Sequence, residues 1–216
     1  LEKDPENRLL SRGPRFRMDG EVLRDAALEA GGLLSKAVGG PSVHPYQPPK
    51  IWETVAMKGS NTRFYREDDG EALYRRSLYT FWKRAAPPPN MAIFNAPTRE
   101  ECTVRRERTN TPLQALVTMN DPQFFEAARG LAETTLAAPG DFDARLDRMT
   151  ARLLARSFET PEREIASRSL REFLRYYDSN PAEARKAIAT GASRPNPKLD
   201  PTELAAWTML ANQLMN

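Results

Sequence analysis

T-N-T-P-L-Q-A-L-V-T-M-N-D-P-Q-F-F, residues Thr109 to Phe125, is the stretch whose reading decides the fold. Thr111 followed by Pro112 and then Gln114 predicts a helix start, a capping box with proline at the first helical position. In that motif the Thr111 hydroxyl accepts from the Gln114 amide, and the Gln114 side chain reaches back to the Thr111 amide. Asn120-Asp121-Pro122 ends this short helix and caps the next, because proline disfavours a helical residue before it and suits a first turn. The run before it, R-E-E-C-T-V-R-R-E-R (Arg99–Arg108), is charged and extended and holds the only cysteine.

Working outward, the chain after Phe125 reads as helix after helix. Phe124, Phe125, Ala128, Leu131, Ala132, Thr135 and Leu136 form one stripe, ended by Pro139-Gly140. Phe142, Leu146, Met149, Leu153 and Leu154 form another, and Thr160-Pro161 starts a third carrying Leu170, Phe173, Leu174 and Tyr177. Asn180-Pro181 begins a shorter helix through Ala189, and residues 191–199 read as a linker. Asp200-Pro201-Thr202-Glu203, an acidic analogue of the capping box, opens the last helix, with Leu204, Trp207, Ala211 and Leu214. Each stripe covers one face, so these helices must pack on one another.

The chain before Arg99 is less regular. Residues 1–17 carry Arg8, Arg12, Arg15 and Arg17 among turn-formers and read as an irregular lead-in. From Asp19 a stripe of Val22, Leu23, Ala26, Ala27, Ala30, Leu33, Leu34 and Ala37 predicts a helix that runs to Gly39-Gly40-Pro41. Gly39–Pro49 is proline-dense and reads as an extended surface loop. Y-R-R-S-L-Y-T-F-W-K-R (Tyr74–Arg84) is aromatic-rich and predicts a short strand, with Met91–Phe94 as its hairpin partner and a helix over Glu71–Arg84 as the alternative. The expected fold is mainly α. It has a C-terminal bundle of about five helices (111–216) and an irregular, proline-rich half (1–110) with one helix and a short hairpin. Residues 1–216 together are expected to be a single C-terminal module of a longer chain, since no initiating Met is present.

At 216 residues the chain is long enough to bury a core, and its 40% apolar and 28% charged residues are ordinary. A net charge of +3 is small and does not by itself imply nucleic acid, which is not among the expected partners. No apolar run approaches the ~20 residues of a membrane span, and no signal peptide is present. His44 is the only histidine, so neither a zinc site nor a C-x-x-C-H haem attachment can be assembled; a loop histidine is expected. Cys102, between Glu100-Glu101 and Arg105-Arg106, reads as a packed, inert thiol. Asp68, Asp69, Glu71, Glu100 and Glu101 could supply a glycosidase pair only if the fold set two across a cleft. Phosphate-loop, dinucleotide and nucleophile-elbow motifs are absent.

The remaining candidates are basic and aromatic. Arg75, Arg76, Lys83 and Arg84 interleave with Tyr79 and Trp82, and Arg105 and Arg106 follow nearby. Guanidinium groups pair bidentately with carboxylate or sulfate, so these residues could contact an acidic glycan or a protein partner. The competing expectation is that they pair with glutamates and cap carbonyls inside the fold.

Four motifs together resemble a known family: N-R-L-L-S-R-G-P-R-F-R (Asn7–Arg17), G-G-P-S-V with P-Y-Q-P-P (Gly39–Pro49), Tyr74–Arg84 with its prolines, and Cys102–Phe124. They are similar to the planctomycete-type C-terminal domain of unknown function that follows cytochrome c-like modules and a companion domain in large envelope proteins. The closing Ala205–Asn216 also fits the resemblance. Where F-D-A-P is expected this chain has F-N-A-P (Phe94–Pro97). The resemblance implies an exported, periplasmic or cell-surface multi-domain setting, haem held only in other modules, and no catalytic residues. The function expected is therefore a non-enzymatic accessory or docking domain whose partners are upstream modules of the same polypeptide. An acidic-polysaccharide-binding module is the alternative, with a glycan hydrolase ranked below it.

Overall fold

A computed structural model describes residues 4–11, 13 and 17–216; Arg12 and Arg15 of the expected lead-in lie outside the described residues. Helices α1 (Gly20–Ala30), α2 (Ile51–Val55) and α3 (Pro89–Ala92) lie in the first half. Helices α4 (Pro112–Asn120), α5 (Pro122–Ala137), α6 (Phe142–Leu154), α7 (Thr160–Ser179), α8 (Pro181–Ile188) and α9 (Pro201–Met215) follow. Among the described residues there is no strand, and the fold is mainly helical. The C-terminal half holds six helices where about five were expected, with breaks at the Asp121-Pro122 and Asn180-Pro181 corners that the sequence marks.

α9 lies at the centre of the bundle. Leu204, Ala205, Ala206, Trp207, Leu210 and Ala211 are all buried, against Ala128, Leu131 and Ala132 of α5, Leu146 and Met149 of α6, and Leu170 and Tyr177 of α7. Alanines on both α5 and α9 let the two backbones lie close, and the surrounding larger side chains fill the rest. Asp200 opens α9 as expected, its carboxylate accepting from the amides of Thr202 (3.0 Å) and Glu203 (2.9 Å).

α1 ends at Ala30, seven residues before the expected Ala37. Gly32 turns left-handed at φ +73°, and the Leu33 amide bonds back to the Leu28 carbonyl at 2.9 Å, a Schellman stop. Packing dictates the place. A Cβ on Gly31 would lie 2.5 Å from the Ala127 carbonyl, and one on Gly130 would overlap the Gly31 carbonyl. The end of α1 crosses α5 at two glycines, and a longer helix would collide with it.

The expected hairpin is also corrected. Gly70–Tyr74 and Ser77–Tyr79 are short 3-10 turns, and Met91 belongs to α3. Strand character survives as two isolated parallel bridges, Ser35 with Arg75 and Val43 with Thr80. The cause sits on α1. Buried Arg24 donates to the carbonyls of Leu73 and Arg75, both at 2.8 Å, and Asp25 accepts from the Ser77 amide at 2.8 Å. These are the backbone groups a ladder would need, so the segment wraps a guanidinium instead of pairing with a strand. Gly39–Pro49 is extended as expected but not wholly on the surface, since Val43 and Pro45 are buried.

The stretch expected as a linker is tied down as well. The Ser193 amide (2.7 Å) and hydroxyl (2.6 Å) donate to Glu126 on α5, a residue with no exposed surface. Tyr46 and Tyr74 hydroxyls donate to the same carboxylate, each at 2.9 Å.

An apolar groove as the candidate functional site

The basic and aromatic residues singled out from sequence do not converge on one surface. Arg75 is buried: its guanidinium donates to the carbonyls of Pro41 (2.9 Å) and Gly39 and lies 3.8 Å over the Tyr79 ring. Arg106 grips Glu21 with two hydrogen bonds, 2.7 and 3.1 Å, and that bonding raises its pKa. Lys83 donates to the Thr62 carbonyl at 2.7 Å and sits 4.8 Å over Trp52. Trp82 donates to the Thr98 carbonyl at 2.9 Å, with Arg99 over its ring. Arg76 is half-buried, while Arg84 and Arg105 are exposed. Cys102, expected to be packed, is exposed, because the run around it leaves the protein surface without forming an element.

The unexpected site is at the helix corner. α4 is inverted: it buries Gln114 and Thr118, 1% and 4% exposed, and shows Leu113, Leu116 and Met119 to solvent, 57%, 54% and 41% exposed. Polar groups can be buried here because each finds partners. Gln114 Nε2 donates to the Ile93 carbonyl (3.0 Å) and to Thr109 Oγ1 (3.1 Å), while its Oε1 accepts from the Thr111 amide (3.2 Å), the returning half of the expected box. The Thr118 hydroxyl donates to Asn216 Oδ1 (2.7 Å), and Asn212 of α9 donates to the Thr118 carbonyl (3.1 Å). Asn95, left-handed at φ 59°, donates to Thr109 Oγ1 at 2.8 Å, a role its amide fills and a carboxylate could not.

The leucines of α4 form one wall of a groove of about 600 Å³; Ile93 and Pro89 form a second and the Tyr46–Pro49 loop a third. Of its lining groups, Glu67 and Asp121 alone are charged. Desolvation raises both carboxyls above their ordinary range; at Asp121 the bond from the Gln123 amide opposes the rise. The Gln47 side-chain nitrogen, also of a residue at the groove, is buried and has no hydrogen-bond partner among the described residues. Sequence reading found the corner but not the groove. The signal it overlooked was Gln114 and Thr118 at i and i+4, a polar stripe opposite Leu113, Leu116 and Met119.

The family described as PSD1, protein of unknown function (DUF1553), has a model that matches residues 1–170. The chain belongs to this family. No curated protein and no solved structure matches it. The PSD1 match takes in the Arg24 clamp, the groove and helix α5, and it ends within α7, short of the Ala205–Asn216 stretch included in the resemblance. The packing continues further, since α9 fills the core against α5. Among the described residues no cluster of three or more metal-ligating side chains occurs, and no helix is long and apolar enough to cross a membrane.

Proposed function

We propose that this PSD1 chain is a non-enzymatic docking domain that seats a neighbouring module of the same exported, multi-domain polypeptide in the groove beside α4. The observation that carries the reading is the inversion of α4. A helix that buries glutamine and threonine while exposing leucines has its apolar face turned toward something outside the domain. Covering that face would stabilise a complex at roughly 25 cal/mol per Å² of apolar area. The groove's charges are both carboxylates, so the docked surface is an apolar ridge carrying a lysine or arginine.

The acidic-glycan alternative has less behind it, because Arg75, Arg106 and Lys83 donate to groups within the protein and the groove is acidic. Haem, in this reading, belongs to other modules of the full-length protein and the family companion domain is the first partner to try. The test is co-purification and titration of this chain with that companion domain. Saturable binding abolished by Leu113→Asp with Leu116→Asp is expected. Equal binding by wild type and the double variant would reject the groove. The isolated chain is also expected to be colourless; a Soret band after purification would contradict that assignment of haem.

A further inference from the structure

A second cavity, of about 510 Å³, lies where the irregular segment folds around His44. Its volume falls within the ~300–1,000 Å³ of small-ligand sites. The floor is aromatic. His44 stacks on Phe81 at 5.0 Å with 21° between planes, and the buried Trp52 meets His44, Tyr65 and Phe81 within 5.9 Å. Phe64 stands at the cavity, 61% exposed.

Its polar groups are of two kinds, a His44–Asp68 pair and side chains that have no such partner. Asp68 accepts from the His44 amide through Oδ2 at 2.7 Å and donates its own amide to the His44 carbonyl at 3.0 Å, which holds the two residues together, and His44 Nδ1 lies 3.6 Å from the same Oδ2. Its Oδ1 takes no donor among the described residues. The exposed side chains of Arg66 and Asn61, both lining the cavity, make no hydrogen bond or ion pair among the described residues. Lys83 is not among the lining residues; its ammonium, still charged, is held at the Thr62 carbonyl.

We infer that this cavity binds a neutral sugar ring, as a site separate from the docking groove. A pyranose has one face of C–H bonds, which suits an exposed phenyl ring, and an edge of hydroxyls, each both donor and acceptor. Arg66 supplies donors, Asp68 an acceptor and Asn61 both, which is the mixture vicinal hydroxyls require. Arg66 and Asp68 carry opposite charges, so the lining itself offers an anion no cluster of cations. Binding should therefore be insensitive to salt, unlike any acidic-glycan contact.

The experiment is calorimetric titration of this chain with neutral gluco-, manno- and xylo-tetrasaccharides and with a galacturonate tetramer, at low and high salt. At least one neutral probe should bind, equally at both salt concentrations and more tightly than galacturonate. Arg66→Ala and Phe64→Ala should each weaken it about tenfold, the loss expected for one charged hydrogen bond or one ring contact. Both side chains are exposed, so the variants should keep the wild-type melting temperature. Leu113→Asp with Leu116→Asp should leave sugar binding unchanged, which separates this site from the docking reading. Binding by none of the neutral probes, preference for galacturonate with loss in salt, or affinity unaffected by both cavity substitutions would overturn the inference.

Discussion

Helices α4 and α9 are both rich in apolar residues, yet they occupy opposite situations. α9 is enclosed: Leu204, Trp207 and Leu210 are at most 2% exposed, and even Thr208 and Asn212 are buried. α4 rests on the same α9 through Thr118 and Asn212, and leaves its leucines in water. A helix apolar on most sides belongs in a core, and α9 is there. α4 has the composition of a core helix and the position of a surface one. The difference teaches that the α4 leucines are not needed by the fold that carries them.

That contrast can be broken by substitution. The largest effect is expected at Trp207→Ala, about 3–5 kcal/mol of stability, because a large side chain packed against Phe142 is lost from a closed core. Denaturant melts check it, and a loss similar to a surface substitution would mean α9 is not the centre of the bundle. Next comes Gln114→Ala, about 1–3 kcal/mol, since it leaves the Ile93 carbonyl and the Thr111 amide without their partner. Thr111→Ala is expected to cost less, about 0.5–2 kcal/mol, the range for a lost N-cap. If the order were reversed, the Thr111 hydroxyl rather than the buried amide would hold the corner.

Leu116→Ala sharpens the comparison from the other side. The isolated domain should melt within about 0.5 kcal/mol of wild type, as exposed positions do, while docking weakens. A large loss of stability would place Leu116 in the fold rather than at an interface. The smallest effect concerns pH. Glu67 and Asp121 have raised pKa values in the free groove, and a partner cation would draw them back down. Docking should then be strongest above the free-state values and weaken as pH falls through them toward the bound-state values. Titrations across the acidic range would show this, and stronger docking at low pH would exclude a basic contact.

Much of the helical half was legible, because its signals are local. Asp121 and Asp200 cap where caps were expected, and the prolines that open α4, α5, α7, α8 and α9 follow directly. What failed depended on groups distant in sequence. Tyr74–Arg84 alternates like a strand, but Arg24, some fifty residues earlier, takes its carbonyls. The stripe through Ala37 is a sound helical pattern, and Gly130 of α5 limits it. The site was less legible than the fold. Arginines draw attention in a sequence, yet Arg75 and Arg106 turned inward, and the groove is built from leucines and prolines of three segments. A ridge of leucines looks like core until the helix beside it is known.

Glu126 ties the molecule into a closed loop. Its carboxylate holds Tyr46, Tyr74 and Ser193, partners 80, 52 and 67 residues away. Such a junction forms late in folding, after three long segments have been brought together, because each closure costs chain entropy before the bonds reward it. Once closed, it makes the segments interdependent. Gly191, whose φ of +91° and tight approach to Glu126 leave no room for a side chain, lets the chain pass over that carboxylate, and the next amide, of Ala192, donates to the Tyr46 hydroxyl at 2.6 Å. Arg129, one turn along α5, is paired with the same carboxylate at 3.5 Å, so Glu126 is satisfied from its own helix as well as from the three distant segments. The 191–199 segment is thus pinned to the irregular half through one carboxylate of α5.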